Sequence, residues 1–321
     1  MTTSGTYTYS VSRDKIIRLA MMNIGKLDDT ETPTAQEVTD CADFLNMLVK
    51  QWQGTADFAP GLKTWTRRRG HLFLSGVTGQ YTLGPNGTGW TTSYINTTST
   101  ATAAGGQPNI VLASVAGLLV GDNFGTVLDS GTIFWSNVLS INTGTKTVTL
   151  STNLPSQASA GTNVFDYTTT ATQPIVIEAC VLRDIFNSDT PVKILTQPEY
   201  DLLPSKTNPQ FISDPTAIYY EFQLANSNLF TDCSASNDVT KHLVITYLEA
   251  IQDFNNPNDT PEYPQEWFLP LALNLSKIIA PMFNAKWTDL MNQNAATALA
   301  IAQKKEPFRT TMYFQPGEDG L

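Results

Sequence analysis

Residues 85–172 restrict what this chain can fold into more than any other stretch. Of these 88 positions 28 are Ser or Thr, and only four carry a charged side chain, namely Asp122, Asp129, Lys146 and Asp166. Disordered segments combine low hydrophobicity with high net charge, and this one does not. Apolar residues alternate with polar ones in NIVLASV, GTIFWSNVLSI and KTVTLST, with Gly or Asn turns between them, which is the pattern of half-buried strands joined by hairpins. The spacing predicts a small β-sandwich or barrel at 85–172, inserted into a host chain made of 1–84 and 173–306, with an extended tail at 307–321. Its segment VGDNFGTVLDSGTIFW lacks the Lys-Ser/Thr or GxGxxG of a phosphate loop between strand and helix, so its glycines are assigned to turns.

The flanking segments carry helical periodicity. Ser12 precedes Ile16, Ile17, Ala20 and Ile24 on one face, and Gly25 is a natural stop. Thr34 and Glu37 form a capping box ahead of Val38, Cys41, Leu45, Leu48, Val49 and Trp52. HLFLSGVTGQYTLG then reads as two short strands around a glycine turn. PIVIEACVLRDIF, PVKILT, AIYYEFQL, NLFTD and KHLVITYLEA follow as strands, the last half-buried, with PEYDLLP as one helical turn. From Thr260 to Phe283 a broad apolar face recurs through Trp267, Leu271, Leu275, Ile278 and Met282, widened by Phe268, Leu269, Leu273 and Ile279. Pro270 predicts a kink or a late start. Pro270 and Pro281, with Asn274, Ser276 and Lys277, speak against a membrane span. Asn284 is placed to cap a last helix running to Ile301, with Lys304 and Lys305 at its end. The predicted class is α+β: a helical bundle of N- and C-terminal helices with a β-rich centre and the inserted β-domain.

Charge and side-chain chemistry narrow the function. The net charge is −10, and 173–321 carries 18 acidic groups against 9 basic ones. Tight sequence-independent binding to nucleic acid depends on Lys and Arg neutralising phosphates, so it is disfavoured. The run Arg67, Arg68, Arg69 is the strongest basic cluster, read as a solvated strand or rim face or as a contact for an acidic partner or a DNA backbone. Cys41, Cys180 and Cys233 are isolated from one another and suggest neither a disulfide framework nor a metal site. MTTSGTYTYS has no basic and apolar leader pattern, which predicts synthesis and assembly in the cytoplasm. There are two histidines, His71 and His242, and no HExxH or GxSxG. No catalytic triad, metal or cofactor is predicted. Glu262 and Glu266 form a conceivable glycosidase pair, but a position in a helix first turn accounts for both as partners of the helix dipole.

Particular strings carry a resemblance: ETPTAQEVTDCADFLNMLVKQWQ, LFLSGVTGQYTLG, DTPVKILTQPEYDLLPSK, ITYLEAIQDFNNPNDTPEYPQEW and MYFQP. In this order they resemble the head-to-tail adaptor proteins of short-tailed phages, the tail accessory factor family that closes the portal after DNA packaging. They cover most of the chain outside 85–172, and the PxxPQEW run is the most specific. None is a catalytic motif. The resemblance implies a non-enzymatic virion protein of the neck, forming a ring of twelve identical subunits beneath the portal. It also implies contacts with a tail nozzle, fibre or spike protein, and a lumen through which DNA passes without being gripped. Candidate portal or subunit contacts are Arg67, Arg68, Arg69, Trp267, Arg309, Tyr313 and Phe314. Two other readings remain: a tail-associated peptidoglycan hydrolase using Glu262 and Glu266, and a glycan-binding module in 85–172 using Trp90 and Trp135.

Overall fold

A computed structural model describes residues 5, 6, 8–54, 65–76, 78–204, 206, 212–235 and 241–304. The chain divides into two compact units, Met1–Thr66 with Ile251–Leu321, and Arg67–Ala250.

The first unit holds α1 (Arg13–Asn23) and α2 (Ala35–Gln53). Both begin as their sequences dictate. Ser12 accepts the Lys15 N–H, and Thr34 and Glu37 complete a reciprocal capping box. Gly25 ends the first helix at φ +72°, a conformation that favours glycine. The C-terminal part of the unit contributes two helices (Phe268–Ile279 and Asp289–Lys304) to the same side of the chain order. Pro270 falls in the first turn of the former, after a 3-10 turn at Gln265–Trp267. There its missing N–H has no intrahelical partner to lose, so the late start is realised. Ala20 and Ser276 allow close packing, with Ser276 Oγ 3.1 Å from the Ala20 carbonyl that accepts its hydrogen bond. One apolar cluster joins Ile16, Met21, Leu45, Trp52, Leu271 and Leu275.

Strands β1 (Arg67–Phe73), β2 (Gln80–Leu83) and β3 (Trp90–Thr91) open the second unit. They are followed by β4 (Ile95–Thr98), β5 (Asn109–Val111), β6 (Asn123–Val127), β7 (Ile133–Asn142), β8 (Thr147–Leu150) and β9 (Asn163–Tyr167). Then come β10 (Val176–Arg183), β11 (Asp189–Leu195), the helix α3 (Gln197–Asp201), β12 (Ile212–Ser213), β13 (Ala217–Glu221), β14 (Ser227–Thr231), β15 (Ser234–Ala235) and β16 (His242–Leu248). The later helices at 268–279 and 289–304 are α4 and α5.

One sheet runs β4-β9-β6-β7-β8-β5, and its outer strands meet: the Ala113 N–H donates to the Thr98 carbonyl and the Thr100 N–H to that of Val111, both at 2.8 Å. Closing a sheet on itself removes its exposed edges. The other runs β2-β14-β13-β11-β10-β16-β1-β3, and six residues, 84–89, link its two outermost strands, so it curls as well. At its centre β16 pairs with β1 on one side and β10 on the other, and only Thr246 of β16 is less than buried. The expectation of a half-buried last strand is therefore corrected: flanked on both edges, with both faces covered, it is a core strand. β1 and β2 are not each other's partners either, since β2 pairs with β14.

The predicted helical bundle is also corrected. Among the described residues the protein is mostly β, with sixteen strands in two curled sheets and a two-stranded pair, and five helices of 11, 19, 5, 12 and 16 residues. The apolar face from Thr260 to Phe283 is not one long rod. Ile251, Phe254 and Tyr263 fill the terminal core from an irregular loop, where a bundle would present helix-on-helix seams. Asn284 adopts φ +51° in the turn after α4, and Thr288 caps α5 instead, its Oγ1 accepting the Met291 N–H.

Candidate interaction surfaces and buried clusters

β1 exposes Arg67, Arg68 and Arg69 together. Arg67 grips Glu178 with two hydrogen bonds, Nε to Oε2 at 2.6 Å and Nη2 to Oε1 at 3.0 Å, and this pairing holds its guanidinium above its ordinary pKa. Arg68 Nε lies 2.7 Å from Glu249 Oε1. Arg69 pairs with Thr246 in the sheet, and its charge helps hold the Asp189 carboxyl below its ordinary range, after the larger effect of Arg183. The bidentate Arg67–Glu178 pair and the Arg68–Glu249 ion pair make this a rim of paired charge rather than an open phosphate cradle.

Trp267 is 1% exposed, with its ring 5.7 Å from that of Trp52. It anchors its own unit and presents no surface to a partner. Arg309, Tyr313 and Phe314 lie outside the described residues. Glu262 and Glu266 are exposed, and Glu262 lines a cavity of about 440 Å³ formed by Ile251–Tyr263.

That loop is the centre of the most specific string, and its residues do architectural work. Asp259 Oδ2 accepts the N–H groups of Asn255 and Asn256 at 2.8 and 2.6 Å, while its carbonyl takes the Arg13 N–H at 2.8 Å. The Asn256 N–H first, with the further bonds from Asn256 and Asn255 and the Arg13 charge, holds the Asp259 carboxyl below its ordinary range. Asn46 Oδ1 accepts the Phe254 N–H, Gln53 Oε1 that of Ile251, and Lys50 pairs with Asp253 at 2.8 Å. The loop is thus stitched to α1 and α2.

Apolar side chains stay uncovered on the C-terminal helices. Leu269 on α4, and Leu290 and Ile301 on α5, are 62%, 67% and 56% exposed. Leu290 and Ile301 lie about three turns apart along one face of α5, which packs on α4. In the second unit the turn between β10 and β11 presents Ile185 and Phe186, held by Asp184 Oδ1 accepting from the Phe186 and Ser188 N–H groups at 2.8 Å each.

The two histidines meet across β1 and β16, with His71 Nδ1 3.1 Å from His242 Nε2. Tyr94 lies edge-on to both rings, and Phe73 stacks on Phe165 at 4.3 Å. Burial pulls both imidazoles down to about 4, with nearby Arg183 adding to each and Arg69 to His71. Among the described residues both rings pack against Tyr94 and against each other. No group of three or more His, Cys, Asp or Glu among the described residues could hold a metal ion. Sequence reading placed both histidines in strands but could not pair them, because pairing depends on register.

No protein-family model matches the chain, and no curated protein matches it. Among the described residues no helix is long and apolar enough to cross a membrane.

Proposed function

We propose that the protein is a structural head-to-tail adaptor of a phage virion, docking as a ring beneath the portal, closing the filled capsid and connecting it to tail components. The observation that supports this reading is the exposure of the large apolar side chains Leu269, Leu290 and Ile301 on α4 and α5. A head-to-tail contact that buries it in a neighbouring copy closes into a ring when the rotation permits. The ordered motifs named above supply the family, and twelve copies follow from that resemblance. The net charge of −10 suits a conduit that must not hold its DNA. Arg309, Tyr313 and Phe314, in the tail, are assigned to portal docking.

Light scattering on the purified protein, alone and with its portal, tests the proposal. Assembly on the portal is the expected result, and a strict monomer that never joins it contradicts the reading. Deleting 307–321 weakens docking and leaves the melting curve unchanged; equal affinity would remove the tail from the interface.

The cavity beside Glu262 sustains one competing reading, a peptidoglycan hydrolase. A zymogram comparing the protein with the Glu262→Gln, Glu266→Gln variant separates the two: clearing that the variant loses favours the enzyme. The glycan reading finds less support. Trp90 is fully buried, and Trp135 packs against Phe73 and Tyr167.

A further inference from the structure

Aromatic rings build the joint between the two sheets of the second unit. Phe165 on β9 and Trp135 on β7 belong to the six-stranded sheet, and Phe73 on β1 to the eight-stranded one. Phe73 stacks on Phe165 at 4.3 Å and its ring lies 5.8 Å from that of Trp135. Trp135 fits there because Gly125 and Gly89 carry no side chain, since a Cβ would come within 2.6 and 2.9 Å of its ring. Tyr94, from the link between β3 and β4, completes the cluster. Hydrogen bonds cross the joint beside these rings. The Gly76 N–H donates to the Gly131 carbonyl and the Ile133 N–H to Ser75 Oγ at 3.1 Å each, and the Gly89 N–H donates to the Tyr167 hydroxyl at 3.0 Å.

The two histidines adjoin the same cluster. His242 stands directly opposite Phe73 in the β1–β16 ladder, and His71 shares the Phe73 face of β1 two residues earlier. Tyr94 meets both imidazoles, at 5.0 and 5.6 Å between ring centres, and Phe73 lies 5.5 Å from His242. While both rings are neutral, His71 Nδ1 and His242 Nε2 make one hydrogen bond at 3.1 Å, one nitrogen donating and the other accepting. With both rings protonated, both nitrogens carry hydrogen and each ring a positive charge, so the bond becomes a repulsion at the edge of the joint. Arg69 on β1 and Arg183 on β10 add positive charge at the same place. Among the described residues the carboxylate that acts on the pair is Asp189 on β11, and Arg183 already engages it through two bonds of 2.7 and 2.8 Å. From the six-stranded sheet, Phe165, Trp135 and Tyr167 bring no charge in acid.

We propose that the histidine pair is an acid-released latch: protonating both rings frees the inserted six-stranded sheet from the eight-stranded sheet while each sheet stays folded. Burial first, then Arg183 and Arg69 for His71, and the facing His71 and Arg183 for His242, hold both imidazoles at about 4 against an ordinary 6.5. Between these values the open form binds more protons than the closed one. The joint is therefore fully latched above 6.5 and releases as pH falls through about 4. The ladders within each sheet are backbone hydrogen bonds with no titrating group, so the joint yields before they do. This inference stands apart from the adaptor reading, since it concerns contacts within one chain.

Amide hydrogen exchange read by NMR on the full chain, at neutral pH and at about pH 4, tests the latch once rates are corrected for their intrinsic pH dependence. The Gly76, Gly89 and Ile133 amides lose protection by about tenfold or more at the lower pH, while those of the β6–β9 and β10–β16 ladders keep theirs. In the His71→Gln, His242→Gln variant, which cannot gain the two charges, the joint amides keep their protection at both pH values. Should that variant fail to fold, the imidazole Cε1–H signals of the unaltered protein give the second reading: both rings take up protons over the interval in which the joint amides are exposed. Joint amides that stay protected after both rings have titrated would overturn the proposal. So would loss of protection in the joint and the ladders together, or a variant that opens at the same pH as the unaltered protein.

Discussion

At His71 and His242 the two imidazoles face each other at 3.1 Å inside the second unit, and burial holds both near 4 against an ordinary value of 6.5. In that window the unfolded chain binds more protons, so the stabilisation is complete above 6.5 and is lost as pH falls towards 4. Thermal melts followed by circular dichroism should show the midpoint falling across this range, with His242→Gln flattening the acid limb. Gly70 is a second position where one atom decides. A Cβ there would lie 2.1 Å from Cη2 of Trp90, on a strand paired along both edges. Gly70→Ala should cost about 1–3 kcal/mol in denaturant titrations; a neutral effect would mean that the Trp90 ring can move aside. Neither relation was legible in the chain. His71 and His242 are 171 positions apart, and nothing local records that a tryptophan lies over a glycine.

Elements whose signals are local were readable. Ser12, Thr34 with Glu37, and Gly25 mark helix ends within a few residues of the bonds they make, and α1 and α2 form where those residues put them. Thr34→Ala removes the capping box and should destabilise the terminal unit by about 0.5–2 kcal/mol, read as a shift of its denaturation midpoint with no change in slope. Strand existence was also legible from alternation, whereas strand partnership was not. β2 pairs with β14 through Tyr81 and Leu229, and β11 lies parallel to β13 after a crossover through α3. The bundle expectation failed for the related reason that a broad apolar face does not report helix length. Pro264 before the 3-10 turn and Pro281 after the Ala280 cap bracket α4 at twelve residues, and loop residues complete the core around it.

At the scale of the whole molecule, chemistry was legible mainly as arrangement. Of the arginine run, Arg67 and Arg68 are committed to Glu178 and Glu249, while Trp267 is interior. The residues proposed for assembly were visible in sequence only as excess apolar width. Leu269 belonged to that width, whereas which residues of α5 join it depended on how α4 and α5 pack. Changing Leu269 and Leu290 to Asp should leave the helical content intact, since both side chains are more than half exposed, and should reduce ring formation on the portal at least tenfold. Ring formation at unaltered concentration dependence would move the interface elsewhere. The proposed adaptor role is tested most directly by light scattering on this protein mixed with the portal it is proposed to join. The account predicts a closed ring of identical copies on each portal; a protein that stays monomeric and never joins the portal would contradict it.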